Sequence, residues 1–243
     1  FAKLNSFKST GEDGVGPRFY KQYAGELGKI FCPLFLKASL CFMEPVKWRG
    51  GLLTQFPKPG EAVKTCNDFR SILLSGSPGK TYRRLLRRRC AVVLDGVARA
   101  TQVGGLKNRA CDMGTHMIKL VASRAASGGL SSAFVFTDIT EAFYSLIKEV
   151  AIPMCGDTDE YRACFLGLGV PVQEVEALIA LASAGHAFDA SHDAHLHALA
   201  VVAHTSNWFS VDNLCDVTSI IKGVLPGDPM ADAMFTILAV RVL

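Results

Sequence analysis

Phe134-Val135-Phe136-Thr137-Asp138-Ile139-Thr140-Glu141-Ala142-Phe143-Tyr144-Ser145 opens on an apolar run the length of a buried strand, and that run ends on a carboxylate. Residues 139–146 then carry helix-like apolar spacing. A strand that stops at Asp138 and turns into a helix delivers the carboxylate to the carboxyl edge of a sheet, where open α/β sheets place their chemistry. A hard oxygen ligand there suits Mg²⁺ and phosphate chemistry. The other reading of Asp138 is a cap on the helix that follows it.

Working outward, Ser127-Gly128-Gly129 separates two halves of opposite charge. Residues 1–130 hold 22 Lys and Arg against 8 Asp and Glu, a net of +14; residues 131–243 hold 4 against 14, a net of −10. The split suggests a basic module that meets polyanions and an acidic one that holds divalent cations. Basic density peaks at Arg83-Arg84-Leu85-Leu86-Arg87-Arg88-Arg89. On a helix, Arg83, Arg84, Arg87 and Arg88 are i, i+3 and i+4 neighbours whose mutual repulsion a phosphate backbone would relieve. Acidic neighbours supplied by the tertiary fold would relieve it equally well.

The rest of the chain reads as mixed α and β. Strands are expected over residues 48–56 and 69–74, separated by the turn signal Pro57-Lys58-Pro59-Gly60. Helices are expected from about Lys80, over 111–126 and over 171–185, and a hairpin over 206–211 and 214–221 around Asp212-Asn213. With 243 residues and 49% hydrophobic content the chain can bury a large core, and no apolar run reaches the length of a membrane span. Eight scattered cysteines with no C-x-x-C pair favour free thiols in a reducing compartment.

Phe136-x-Asp138-x-x-x-Ala142-Phe143-x-Ser145 resembles the first palm motif of reverse transcriptases, particularly those of non-LTR (LINE-like) retrotransposons and group II introns. Gly223-Val224-Leu225-Pro226-Gly227-Asp228-Pro229-Met230 resembles the Gly-Asp-Pro turn that opens the next palm helix. Upstream, Trp48, Lys58-x-Gly60, Asn67-x-Phe69-Arg70-x-Ile72-x-Leu74 and Lys80 are similar to the fingers motifs, and Gln102-x-Gly104 to the link towards the palm. These blocks stand in the family's order.

The resemblance implies an α+β right-hand polymerase fold, with residues 1–130 as fingers and 131–243 as an incomplete palm. It implies RNA-directed DNA synthesis by two-metal nucleotidyl transfer, with an RNA template, a DNA primer, deoxynucleoside triphosphates and Mg²⁺, inside the cell and in the nucleus. Asp138 would ligate the metal pair and the carbonyl of Ile139 would help. Phe143 would lie under the sugar of the incoming nucleotide. Arg70 and Lys58 would hold its triphosphate, while Gly227 and Asp228 would shape the floor beneath the template base. Arg83, Arg84, Arg87 and Arg88 would meet nucleic acid.

Two departures stand out. Pro226 occupies the place of the family's usual Gln, and the family's aromatic-x-Asp-Asp hairpin is absent. Phe1 without a preceding Met, and an apolar helix-like run up to Leu243, read as cut ends. An isolated chain of this kind is expected to be inactive.

Other readings remain. One is a nucleic-acid-binding remnant without catalysis. Another is a P-loop NTPase built on Gly76-Ser77-Pro78-Gly79-Lys80-Thr81, although that loop is two residues shorter than the motif requires. The His192-x-x-His195-x-His197 spacing, with His204 beyond it, raises zinc, but no Cys is near and the flanks read as a helix carrying surface histidines.

Overall fold

A computed structural model describes residues 1–58, 60, 65, 68–139, 141–185, 187–188, 193–212, 214 and 216–242. The sequence Trp48-Arg49-Gly50-Gly51 leads into strand β1 (Gly50–Pro57), which pairs antiparallel with β2 (Phe69–Leu74). The two glycines permit close approach. A Cβ at Gly50 would run into the carbonyl and indole of Trp208, and one at Gly51 into the carbonyl of Leu74. On its other side β1 pairs in parallel with β3 (Trp208–Val211), and β3 pairs antiparallel with β4 (Val217–Ser219). The order is β2-β1-β3-β4. The expected hairpin is therefore present with shorter strands, and Asn213 of its turn lies outside the described residues.

Before the sheet come α1 (Pro17–Gln22) and α2 (Ala24–Leu40). After β2 comes α3 (Ser77–Val97), which starts three residues earlier than the sequence suggests. Pro78 stands in its first turn, where a missing N–H costs nothing and the fixed φ suits a helix. Then follow α4 (Cys111–Ser127), α5 (Ala142–Ser145), α6 (Lys148–Ala151), α7 (Thr158–Gly167), α8 (Val172–Ser183), α9 (Ala194–His204) and α10 (Ala231–Val242). The molecule is mixed α+β, and no described helix is long and apolar enough to cross a membrane.

The core forms around α3. Tyr82, Leu86, Cys90, Val93 and Leu94 recur every three or four residues, so they make one stripe. That stripe packs with Leu196, Leu199 and Ala203 of α9 and with Met234 and Ile237 of α10. The main cluster thus draws on both sides of the Gly128-Gly129 break. A second cluster joins Val150, Tyr161, Phe165, Val175 and Ile179, and Leu238 packs against both. The six described cysteines are free.

One expectation fails. Residues 133–138 form no strand; they are exposed, with Val135 at 88% and Phe136 at 80%. A strand exists by pairing, and none of the four strands of the sheet lies against this segment. The apolar run signals burial in a sheet, but it does not specify the partner that would make one.

Candidate nucleotide and nucleic-acid interface

Three segments far apart in sequence meet at one place. The Leu73 amide of β2 donates to the carbonyl of Pro226 at 2.8 Å. Pro226 lacks an N–H, but its carbonyl is what the contact uses. Gly227 follows at φ +100°, and a Cβ there would lie 2.9 Å from the Leu73 carbonyl oxygen, so the turn requires glycine. From the other side, the Val224 amide donates to the carbonyl of Phe143 at 2.7 Å, and the Gly223 amide to that of Leu146 at 2.9 Å. The Tyr144 hydroxyl donates to the Ser71 carbonyl at 3.3 Å. Phe143 is half-buried against Phe235, ring centroids 6.0 Å apart. Thus β2, the α5 turn and the 223–228 segment form one hydrogen-bonded unit.

The cations divide. Lys58 and Arg70 are exposed towards the far end of the β1–β2 hairpin, where the Lys58 amide is tied to the Asp68 carbonyl at 2.7 Å. Arg70, Ile72 and Leu74 alternate onto one face of β2. Arg84 and Arg88 of α3 are exposed as well.

Arg83 and Arg87 are not, which corrects the expectation of a four-arginine nucleic-acid face. Arg83 is 3% exposed, donates to Glu44 Oε2 at 3.0 Å and to Asn207 Oδ1 at 3.2 Å, and forms an ion pair with Asp228. Arg87 makes a two-pronged bond to Asp232, 3.0 Å on each prong, and donates to the Gly105 carbonyl at 2.7 Å. Arg89 joins the series through Asp193 at 2.9 Å. Much of the basic character of α3 therefore meets carboxylates of the acidic half. Those partners lie 104 to 145 residues away along the chain, beyond the reach of a helical-wheel argument.

Asp228 is correspondingly a structural residue. Its carboxylate is turned to Arg83 and accepts the Met230 amide at 2.8 Å, capping the entry to α10 rather than facing an open floor. Burial pushes the Glu44 carboxyl above its usual range, and the opposing pull of Arg83 only partly offsets this. Glu44 Oε1 has no hydrogen-bond partner. Beside this group His204 is 1% exposed with neither ring nitrogen hydrogen-bonded, and burial brings its pKa down to about 3. That corrects the reading of surface histidines.

His195 instead contacts Arg89 and the Ser39 carbonyl, and His197 the Pro153 carbonyl. His192 lies outside the described residues. No three metal-ligating side chains gather among the described residues.

Asp138 and Ile139 lie exposed in the segment without regular structure. Among the described residues Asp138 belongs to no group of three His, Cys, Asp or Glu side chains of the kind that would hold a metal pair. The P-loop reading fails on geometry. The Lys80 amide donates to the carbonyl of the cap residue Gly76 at 3.1 Å, so residues 77–80 already form the first turn of α3 and no phosphate-wrapping loop. No protein-family model matches the chain, and no curated protein is significantly similar to it.

Proposed function

We propose that this chain is the fingers and part of the palm of an RNA-directed DNA polymerase of the retrotransposon or group II intron kind. What supports the reading is the junction of β2, the α5 turn and residues 223–228, because these are the segments whose sequences resemble the family's motifs. Segments that serve one substrate must meet in space, and unrelated matches would have no reason to hydrogen-bond to each other. On this reading Arg70 and Lys58 reach for triphosphate oxygens from the fingers. Asp138 supplies one carboxylate for Mg²⁺, which would neutralise phosphate charge once a second carboxylate is present. RNA template, DNA primer and deoxynucleotides are the partners, and the nucleus is the place of action.

Phe143 carries the sharpest consequence. A ring held by Phe235 cannot yield space to a 2′-hydroxyl, so it would select deoxyribonucleotides by clash. The test is single-nucleotide incorporation by a longer protein that joins residues 1–243 to an aromatic-x-Asp-Asp segment. Phe143→Val is expected to raise ribonucleotide use at least about tenfold relative to deoxynucleotide use, roughly 1.4 kcal/mol. Wild type that already takes both sugars equally would defeat the assignment.

A further inference from the structure

Helix α2 carries Gly25, Gly28 and Cys32 at spacings of three and four, so these small residues share one face. Glycine is a poor helix residue, and a Cβ at Gly25 or Gly28 would meet no neighbouring group within 4 Å. Among the described residues, then, none packs closely enough on either glycine to require it. The space they leave belongs to a cavity of about 670 Å³ between α2, α3 and the amino-terminal segment. A volume of that order is common among small-molecule sites. Its walls are apolar. The Phe1 ring stands edge-on to Phe31 at 5.4 Å, and Phe35 lies 5.7 Å from the Tyr82 ring. Leu36 and Leu85 line it and are exposed, so the cavity opens to solvent.

The polar end of the cavity selects among guests. Tyr82 is 3% exposed, and among the described residues its hydroxyl has no hydrogen-bond partner. Ser39 and Arg89 stand near Tyr82 and line the same cavity. A buried hydroxyl without a partner costs free energy, which an acceptor on a guest would recover. Hydroxyls and a guanidinium at one end, with hydrocarbon over the rest, match a molecule that is apolar apart from one oxygen-bearing end. We propose that this cavity binds a small amphiphile, its hydrocarbon part along Gly25, Gly28 and Phe31 and its oxygen end at Tyr82 and Ser39. Arg89 already meets Asp193 at 2.9 Å, so the oxygen need not carry charge. An alcohol and a fatty acid of medium length share this chemistry. None of the residues lining the cavity belongs to the junction of β2, α5 and residues 223–228.

The experiment loads the 243-residue chain with the apolar dye N-phenyl-1-naphthylamine and follows its fluorescence as octanol or octanoate displaces it. Gly28→Leu fills the cavity from the helix side, and the control, Gly96→Leu, makes the same change in open space on α3. Tyr82→Phe removes the hydroxyl alone. Gly28→Leu should weaken binding of dye and displacer at least about tenfold relative to the control. Tyr82→Phe should leave the dye, which has no oxygen, unchanged and weaken the displacers about threefold or more. Octanoate displacing ahead of octanol brings in the charge of Arg89, and octanol displacing as well or better leaves the oxygen to the two hydroxyls; either supports the proposal. Should Gly28→Leu melt below the control, Gly25→Leu takes its place, with the same loss expected. Equal binding by the filled variant and Gly96→Leu overturns the proposal. So does a Tyr82→Phe chain that binds both displacers like wild type, or a wild-type chain from which neither displaces the dye.

Discussion

Asp228 holds two positions at once, as the anion beside buried Arg83 and as the cap on α10, whereas Glu44 is an incompletely satisfied second anion. Of the two carboxylates beside this guanidinium, Glu44 is the one whose ionised form burial disfavours. Asp228→Asn should therefore destabilise the chain by about 3–5 kcal/mol in urea unfolding, the cost of leaving a buried charge without its partner. Glu44→Gln should cost less than about 1 kcal/mol or stabilise, since it removes a carboxylate that burial resists ionising. Equal losses would contradict this division.

His204 gives a pH dependence of definite sign. Its folded pKa, about 3, lies below the ordinary 6.5, so its buried neutral form contributes stability above pH 6.5. That contribution is lost as pH falls from 6.5 towards 3, by up to a few kcal/mol. Thermal melts across this range should show His204→Leu less acid-sensitive than wild type. Glu44 works in the opposite sense. Its raised pKa lowers stability as pH climbs through its range, so the His204 comparison is cleanest in a Glu44→Gln background. None of this was legible in the sequence, because Glu44, His204 and Asp228 reach Arg83 only through the tertiary fold.

Elements were far more legible than their neighbours. The strand at 69–74, the helix at 111–126 and the helix at 171–185 reappear as β2, α4 and α8, because turn residues and apolar period bracket each of them locally. Residues 133–138 differ, because they form no strand. An all-apolar run specifies a strand only when another strand pairs with it, and periodicity carries no information about partners. Likewise Arg83 and Arg84 are adjacent in sequence, but one faces the core and the other solvent. The closely packed turn at Gly227 is an element-scale feature that the Gly-Asp motif did signal. Gly227→Ala should cost about 1–3 kcal/mol, because it adds a contact with the Leu73 carbonyl to an unfavourable positive φ. Gly96→Ala, in α3 with open space around it, should instead be neutral or stabilise by up to about 1 kcal/mol. Urea melts of both variants decide it, and a tolerant Gly227 would mean that the junction with β2 is loose.

At the scale of the whole molecule, the sequence pointed to a basic half that binds polyanions and an acidic half that binds metal. The fold engages part of that charge internally, through Arg83–Asp228, Arg87–Asp232 and Arg89–Asp193. The pairs clamp α3 against the later half, in the same region where the main core spans both. Lys8, Lys58, Arg70, Lys80, Arg84 and Arg88 are among the cations that stand outside these pairs. The central claim is that this frame belongs to a polymerase copying RNA into DNA. Its most direct test is primer extension on an RNA template by a longer protein carrying residues 1–243 and an aromatic-x-Asp-Asp segment, with Mg²⁺ and deoxynucleotides. Wild type should yield DNA complementary to the template, and Asp138→Ala should yield none while melting at the same temperature. Extension by Asp138→Ala at the wild-type rate, or no extension by a folded wild-type protein that binds the primer–template, would contradict the account.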